Sequence, residues 1–123
     1  MQCRSWYTGP VMSCLFCKIV DGSIPSTAVY QDTECYAFAD IGPQAPTHIL
    51  IVPRKHIASL AETSAADAAL LGHLVAVAAQ IARDKALAKG YRVVMNTGPD
   101  GGQTVDHLHV HLLGGRHMAW PPG

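Results

Sequence analysis

Three histidines alternate with apolar residues near the C-terminus of this chain, at His107, His109 and His111. Side chains of a β-strand alternate between its two faces, so a strand here would place the three imidazoles on one face. Leu108 and Val110 would then point into a hydrophobic core. Each imidazole titrates near neutrality, and protonation of one disfavours protonation of its neighbour. A purely structural strand rarely carries this pattern, so the motif indicates a functional site.

Length and composition are those of one globular domain without a dominant charge. The 123 residues are 49% hydrophobic and 15% charged, and nine basic residues balance nine acidic ones. A neutral chain lacks the electrostatic footprint of a nucleic-acid-binding protein. No apolar run approaches the roughly 20 residues that a membrane-spanning helix needs, and no signal peptide is evident. We therefore expect a cytoplasmic protein with neither nucleic acid nor membrane as a partner.

Local patterns predict an α+β fold with a mostly antiparallel sheet. Strands are predicted at residues 28–31, 36–39, 48–52 and 91–96 and in the histidine motif, and a short helix at residues 19–24. One long helix is predicted to begin with a Ser64–Asp67 capping box and to end at Gly90. Residues 1–12 lack periodicity, so we expect a disordered N-terminal extension followed by a single domain over residues 13–123.

Two chemistries use histidines on one strand face: metal binding, and nucleophilic attack on phosphorus by a neutral imidazole. A mononuclear metalloenzyme usually recruits a nearby carboxylate, and the only one within five residues of the motif, Asp106, is predicted to face away. The loop just upstream, residues 101–104, has the sequence Gly-Gly-Gln-Thr, whose backbone and side-chain donors suit an anion. Asn96 ends the preceding predicted strand and could present its amide to the same anion. The surroundings favour phosphate chemistry.

Cysteine spacing adds a second candidate site. The four cysteines stand at positions 3, 14, 17 and 35, and Cys14 and Cys17 form a Cys-x-x-Cys pair. In a chain without an export signal, this spacing indicates a metal or thiol site rather than a disulfide framework. A redox pair and two buried thiols remain alternatives.

The sequence resembles the histidine-triad family, whose signature is His-φ-His-φ-His-φ-φ with φ apolar. The resemblance extends over residues 15–123. It includes residues 39–41, 43–48, 53–56, 70–74, 89–92, 100–103, 113–116 and the terminal Trp-Pro-Pro-Gly of residues 120–123. Within the family, the chain looks like the histidine-triad nucleotide-binding proteins, which are purine nucleoside phosphoramidases. The resemblance implies a five-stranded antiparallel sheet with one long and one short helix. It also implies a two-fold homodimer that joins two sheets into one.

The resemblance assigns catalytic roles to four residues. His109 corresponds to the nucleophile, which would form a nucleotidyl-histidine intermediate that water then cleaves. His111 would contact the α-phosphate or the leaving group and supply a proton. His48 would complete the polar set from the facing strand, and Gln103 would hold phosphate oxygens and the leaving group.

The resemblance also implies a purine nucleotide site. Its expected members are Phe16, Ile19, Asp40, Ile41, Asn96, Gly102, Gln103, Thr104, His109 and His111. Asp40 would accept both ribose hydroxyls, whereas Phe16, Ile19 and Ile41 would clasp the base. Thr104 stands where the family usually has serine, which keeps the hydroxyl and adds a methyl group to the leaving-group site.

Relatives with a Cys-x-x-Cys pair imply a structural zinc site formed by Cys14, Cys17, His56 and His107. Four such ligands make a closed tetrahedral site. No metal is implied for the chemistry itself. His73 and His117 receive no functional role from the motif or from the resemblance.

The expected function is hydrolysis of nucleoside 5′-phosphoramidates, in which AMP or GMP is linked through nitrogen to an amine. A dinucleoside polyphosphate hydrolase or a nucleotidyl transferase of the same superfamily is an alternative. A non-catalytic nucleotide-binding protein is another, because its binding residues would be the same. The terminal Trp-Pro-Pro-Gly favours the phosphoramidase branch.

Overall fold

An antiparallel five-stranded sheet organises the chain, as seen in a computed structural model that describes residues 14–123. The strands are β1 (Ala28–Gln31), β2 (Cys35–Ala39), β3 (Thr47–Pro53), β4 (Tyr91–Val94) and β5 (Val110–Gly114). Their order across the sheet is β1-β2-β3-β5-β4, and every neighbouring pair is antiparallel. The predicted α+β class and five-stranded sheet are therefore confirmed. The prediction for residues 1–12 concerns residues outside those described.

Three α-helices and two 3₁₀ turns complete the described part of the chain. The helices are α1 (Leu15–Val20), α2 (Ala68–Asp84) and α3 (Gly98–Gly101), and the 3₁₀ turns are Leu60–Glu62 and Ala65–Asp67. The short helix therefore forms four residues earlier than residues 19–24, where the sequence pattern placed it. The predicted glycine-rich loop contains the single turn of α3. Strand β4 ends at Val94, two residues before the predicted end.

The predicted capping box forms, but it caps the 3₁₀ turn Ala65–Asp67 that directly precedes α2, and the long helix ends early. Ser64 and Asp67 form the capping box, with the Ser64 amide donating to Asp67 Oδ2 at 3.0 Å. The helix stops at Asp84 rather than at Gly90 because Ala86 adopts the left-handed conformation, with φ 57°. This turn returns Leu87 to the sheet, where its side chain packs against the core. The gain from burying Leu87 offsets the cost of a left-handed alanine.

The sheet separates two hydrophobic clusters. The larger cluster lies between the sheet and α2, where Leu74, Val77 and Ile81 pack on Ile49 and Ile51 of β3. The smaller cluster lies on the opposite face, beneath α1, and contains Phe16, Ile19, Tyr36, Phe38, Leu50 and Val52. Strand β3 contributes to both clusters in alternation and is buried on both faces. Its continuous apolar run therefore has the character of a central strand.

Helix α2 also corrects the expectation about membrane-length segments. By length and composition alone, residues Ala65–Asp84 could cross a membrane. A core helix passes the same test, and one face of this helix lies on the sheet. The opposite face is exposed in the single chain and includes Val75, a large hydrophobic side chain.

The histidine motif is only partly a strand. Strand β5 begins at Val110, so His107 and His109 precede its regular hydrogen bonding. The alternation nevertheless continues upstream, because Leu108, Val110 and Leu112 all enter the core under α2. The predicted division of the motif into an apolar face and a histidine face is therefore confirmed.

Candidate active site and candidate metal centre

The histidines of the motif lie in a largely buried cluster on the sheet face opposite α2. His107 is fully buried, and His48 and His109 are each 6% exposed. The ring centroids of His109 and His111 are 4.9 Å apart, and those of His48 and His111 are 5.2 Å apart. His48 reaches the cluster because β3 pairs with β5, which places Leu50 opposite His111. Two adjacent strands therefore bring three of the imidazoles together.

A backbone hydrogen bond determines which nitrogen of His109 can act as a nucleophile. The Nδ1 atom of His109 lies 2.7 Å from the carbonyl oxygen of His107. A carbonyl only accepts hydrogen bonds, so Nδ1 carries the proton and Nε2 of the neutral ring carries the lone pair. The ring of Phe16 meets His109 edge-on, with centroids 5.0 Å apart and planes at 85°. The ring of His109 is therefore oriented from one side by the backbone and from another by α1.

A chain of hydrogen bonds assigns the opposite tautomer to His111. The backbone amide of Gln44 donates to Nδ1 of His48 at 3.0 Å. The proton of neutral His48 is therefore on Nε2. That Nε2 lies 2.9 Å from Nδ1 of His111 and donates to it. The proton of His111 is then on Nε2, a buried nitrogen without a hydrogen-bond partner among residues 14–123. A buried donor without a partner is costly, and an incoming oxygen or nitrogen of a ligand would satisfy it.

The surroundings of these imidazoles favour their neutral forms. Burial, followed by the neighbouring His109 and His48, lowers the pKa of His111 to about 4. Burial also lowers the pKa of His109, although its bond to the His107 carbonyl and the charge of Asp40 act to raise it. The pKa of His48 is lowered by burial against the opposing effect of Asp40. Neutral imidazoles at pH 7 are what nucleophilic attack requires of His109.

Asp40 and Ile41 stand at the edge of the histidine cluster. One Asp40 oxygen accepts the Gly42 amide at 2.8 Å, and the other lies 3.4 Å from Nε2 of His48. The side chain of Ile41 is fully exposed, whereas Phe16 and Ile19 are buried in the smaller cluster. Of the three residues expected to clasp a purine, two therefore belong to the buried face of α1 and one projects into solvent.

Asp40 also corrects one step of the sequence argument. The absence of a carboxylate near the motif in sequence was taken to disfavour a catalytic metal, yet the fold brings Asp40 to His48 and His111. Ligand atoms of these three residues lie within 4.8 Å of one another. However, the lone pair of His48 points at the Gln44 amide, and its Nε2 proton points at His111. Metal binding here would have to break both hydrogen bonds, so the described geometry favours the neutral imidazole network.

The glycine-rich loop is braced by the side chain that was expected to hold phosphate. Oε1 of Gln103 accepts the Gly98 amide at 3.0 Å. Its Nε2 donates to the carbonyl oxygens of Ala58 at 2.8 Å and Val105 at 3.0 Å. All hydrogen-bonding groups of the amide are therefore engaged in fixing the loop, and a direct contact of Gln103 with phosphate stays a prediction.

The other expected loop residues are less constrained. Gly102 has φ 83° and caps α3, a conformation that favours glycine. Asn96 is half-buried and Thr104 is exposed, and neither side chain has a hydrogen bond among the described residues. Thr97 was not singled out from the sequence, yet its hydroxyl is buried and unpartnered within residues 14–123. Its position next to Asn96 was the only available signal.

A second cluster lies beside the first and joins α1 to the histidine motif. The Nδ1 atoms of His56 and His107 are 3.2 Å apart. The Sγ atom of Cys17 lies 3.4 Å from His56 Nδ1 and 3.5 Å from His107 Nδ1. The Sγ atom of Cys14 lies 3.5 Å from His107 Nδ1 and 4.0 Å from His56 Nδ1. The four residues predicted as zinc ligands are thus brought together from three separate segments.

These separations fit tetrahedral coordination. Bonds of about 2.0 Å to nitrogen and 2.3 Å to sulfur require about 3.3 Å between nitrogens and about 3.5 Å between nitrogen and sulfur. His107 is also oriented for this purpose, because its Nε2 donates to the Pro53 carbonyl at 2.9 Å. That bond leaves the lone pair on Nδ1, the atom that faces the other three residues. The residues present therefore fit a structural zinc ion once Cys14, which takes part in a disulfide in this structure, is reduced.

Comparison with known proteins places the chain in a family. The sequence profile of the HIT domain family matches residues 21–118. The chain is 56% identical over 109 residues to an uncharacterised HIT-like protein of Synechococcus elongatus. This match covers 89% of this chain and 96% of the Synechococcus protein. It is also 52% identical over 111 residues to the 14 kDa zinc-binding protein of Zea mays. This match covers 89% of this chain and 87% of the Zea mays protein. The chain therefore belongs to the HIT domain family.

Solved structures share its fold. A HIT family hydrolase from Legionella pneumophila superposes with a TM-score of 0.88 at 51% identity, covering 89% of this chain and 99% of that one. The histidine triad nucleotide-binding protein from Candida albicans superposes with a TM-score of 0.75 at 33% identity. This superposition covers 88% of this chain and 82% of the Candida protein. The fold of this chain is thus that of family members named as hydrolases and as nucleotide-binding proteins.

The tautomers of the cluster can be tested by NMR. At neutral pH we expect the proton of His109 on Nδ1 and that of His111 on Nε2, because backbone groups determine both. His111 should titrate near pH 4 rather than at its ordinary 6.5. The unfolded chain takes up this proton near pH 6.5, whereas the folded chain does so only near pH 4. The free energy of unfolding should therefore decrease as the pH falls from 6.5 to about 4. Long-range ¹⁵N–¹H spectra, assigned with His111→Asn, measure both properties, and the opposite tautomer or a midpoint at 6.5 would contradict the network.

Proposed function

We propose that this protein hydrolyses the P–N bond of purine nucleoside 5′-phosphoramidates through a covalent nucleotidyl-His109 intermediate. The observation that carries the proposal is the complementary pair of tautomers. A lone pair on Nε2 of His109 lies beside a buried, unpartnered N–H on Nε2 of His111, with ring centroids 4.9 Å apart. One ring can therefore attack phosphorus while the other donates a hydrogen bond to the departing group or to the phosphate.

The proposed reaction has two steps. In the first, Nε2 of His109 attacks the α-phosphorus, the P–N bond breaks, and the amine leaves with a proton from a water molecule, while the Nε2–H of His111 donates a hydrogen bond to the leaving nitrogen or to a phosphate oxygen. In the second, the hydroxide formed from that water attacks the same phosphorus, the bond from phosphorus to His109 breaks, and the nucleoside monophosphate is released. His111 keeps its proton throughout, and both imidazoles are neutral at the start and at the end of the cycle. No metal ion takes part in either step.

Several contacts support a role for the surrounding residues. The chain from the Gln44 amide through His48 keeps the proton of His111 on the nitrogen that needs it. Asp40 lies 3.4 Å from His48 and retains lone pairs that could accept ribose hydroxyls. Asn96 and Thr104 keep uncommitted side chains for phosphate or leaving-group contacts. The named nucleotide-binding relative from Candida albicans supports the same substrate class.

Replacement of His109 with alanine tests the chemistry. The variant should lose several orders of magnitude in turnover because it removes the nucleophile, whereas nucleotide affinity should change little. Mass spectrometry of wild-type protein quenched during turnover should locate a nucleotidyl adduct on His109. The exposed His117 provides the matched control, since His117→Ala should keep wild-type rates. An adduct on another residue, or substantial activity in the His109→Ala variant, would contradict the mechanism.

The substrate panel separates the proposed activity from its alternatives. Adenosine and guanosine phosphoramidates should be cleaved faster than dinucleoside polyphosphates. The reverse order would indicate a polyphosphate hydrolase, and transfer to an added phosphate acceptor would indicate a nucleotidyl transferase. Nucleotide binding without turnover of any substrate would leave the protein as a binding module.

We also propose that Cys14, Cys17, His56 and His107 hold one structural zinc ion when both cysteines are reduced. The near-tetrahedral separations support this role, as does the similarity to the zinc-binding protein of Zea mays. The ion would tie α1 to the residue that precedes the nucleophile by two positions. Its contribution would be to folding, because none of its four ligands is a proposed proton donor or nucleophile.

Metal analysis tests this centre. Protein purified under reducing conditions should contain about one tightly bound zinc per chain. His56→Asn should abolish it, and His117→Asn should leave it intact. Removal by a mild chelator should lower the melting temperature, while the activity per folded molecule persists. A zinc-free reduced protein, or zinc retained by the His56→Asn variant, would refute the assignment.

A homodimer is the proposed assembly. Strand β4 is an edge of the sheet, and it exposes Tyr91 and Val93, while α2 exposes Val75 on its apolar outer face. Pairing of two β4 strands would cover these edges and faces together. The C-terminal tail begins at this edge, because Arg92 of β4 donates to the Ala119 carbonyl at 2.9 Å. In such a pair, the exposed Trp120 would reach toward the partner's site.

Truncation tests the tail and light scattering tests the assembly. Removal of residues 120–123 should change which leaving groups are accepted more than it changes nucleotide affinity, because the tail would line the leaving-group side. Trp120→Phe should retain most of the wild-type preference because it keeps an aromatic ring. A monomer at working concentration, or an unchanged substrate profile after truncation, would contradict this proposal.

A further inference from the structure

A third cluster of metal-ligating side chains lies on the other side of the sheet from the histidine motif. It joins the turn between β1 and β2 to the helix α2. Ligand atoms of Asp32, Cys35 and His73 all lie within 4.8 Å of one another. Nε2 of His73 is 2.7 Å from Oδ2 of Asp32. No local pattern connects these residues, since His73 is 38 positions or more from the other two.

We propose that Asp32, Cys35 and His73 form a second metal site, which binds a divalent transition ion of the zinc type with an open fourth position. A carboxylate oxygen, a cysteine sulfur and an imidazole nitrogen are the three ligand types that Zn²⁺ uses in proteins. Three protein ligands with one solvent position make an open site rather than a closed structural one.

The carboxylate of this cluster is held by its neighbours in one orientation. Oδ1 of Asp32 accepts the backbone amides of Glu34 and Cys35, both at 2.8 Å. The Tyr30 hydroxyl donates to Oδ2 at 3.0 Å. Nε of Arg54 donates to the Asp32 carbonyl at 2.7 Å, which fixes the turn from the opposite side. Carboxylates that ligate metals are typically oriented by such outer hydrogen bonds.

The local charge also suits a cation. Burial acts to raise the pKa of Asp32, but hydrogen bonds from two amides, His73 and Tyr30 outweigh it and hold the pKa well below its usual range. The carboxylate is therefore ionised throughout the physiological range. The basic side chain of Arg54 is held by other partners, since its Nε donates to the Asp32 carbonyl and a terminal nitrogen donates to Gln31 at 3.0 Å.

Solvent reaches the cluster from one side. The side chains of His73 and Asp32 are 31% and 25% exposed, whereas Cys35 is fully buried. A metal ion could therefore enter past His73 and retain a water ligand on that side. Coordination would replace the Asp32–His73 hydrogen bond by two bonds to the ion. It would also displace the Cys35 thiol proton to solvent and move the His73 proton to its other nitrogen.

The competing description is a structural staple, which means that the hydrogen bond between His73 and Asp32 serves only to link α2 to the turn. In that case the pair of Asp32 and His73 contributes to stability and no ion binds. The two descriptions differ in one measurable property, which is the uptake of metal beyond the zinc proposed for Cys14, Cys17, His56 and His107. The new site has no ligand in common with that centre or with the histidines of the proposed reaction.

Cobalt titration of the reduced, zinc-loaded full chain tests the proposal. The wild type should bind one further equivalent of Co²⁺ and develop a thiolate-to-cobalt absorption band. His73→Gln should weaken this binding at least tenfold, and Cys35→Ser should abolish the band. The exposed His117 supplies the control, since His117→Gln should bind as the wild type does. Added Zn²⁺ should compete for the same equivalent.

If Cys35→Ser fails to fold, the His73→Gln variant alone still tests the proposal. His73 lies on α2 and is partly exposed, so His73→Gln should fold. Uptake of the extra cobalt by His73→Gln with wild-type affinity would overturn the proposal. The absence of an extra equivalent in the wild type would also overturn it and would leave the cluster as a staple.

Discussion

The antiparallel pairing of β3 with β5 is the constraint on which the rest of the structure depends. It places Leu50 opposite His111 and Ile49 opposite Leu112. Because side chains alternate along both strands, one face of this pair packs on α2 and the other presents the histidines. A shift of one residue in register would bury the imidazoles under α2 and expose the core. The location of the proposed active site is thus a direct consequence of core formation.

Backbone groups then determine what each histidine can do. The His107 carbonyl, the Gln44 amide and the Pro53 carbonyl each occupy one imidazole nitrogen. The remaining nitrogens are left as a lone pair on His109, a hydrogen-bond donor on His48 and a lone pair on His107, although the side chains are chemically identical. Burial reinforces these assignments, since it lowers the pKa of each imidazole and removes the charged form that would lose the tautomeric distinction.

Both proposed metal centres connect segments that share no secondary structure. One joins α1, the segment after β3 and the start of the histidine motif, and the other joins the turn after β1 to α2. In each case a backbone carbonyl or amide orients a ligand that then faces its partners. Phe16 connects the first proposed metal centre with the histidine cluster, because it lies between Cys14 and Cys17 in sequence and its ring meets that of His109 edge-on. A change in the position of α1 would therefore change the packing that orients His109.

The sequence by itself determined the class of fold, most element positions and the identity of the histidine face. Alternation in the motif and the Ser64–Asp67 capping box are local signals, and local signals survive in the folded chain. The same reasoning could not find where the long helix ends, because Ala86 turns only to bury Leu87 against the distant β5. The contact of Gln103 with phosphate stays a prediction, and the sequence could not show that the same amide braces a loop. Nor could it show that Asp40 lies beside His48, that the Thr97 hydroxyl has no partner among residues 14–123, or that His73 lies beside Asp32. Tautomers, ligand separations and these pairings depend on contacts between residues far apart in the chain, so only the tertiary structure decided them.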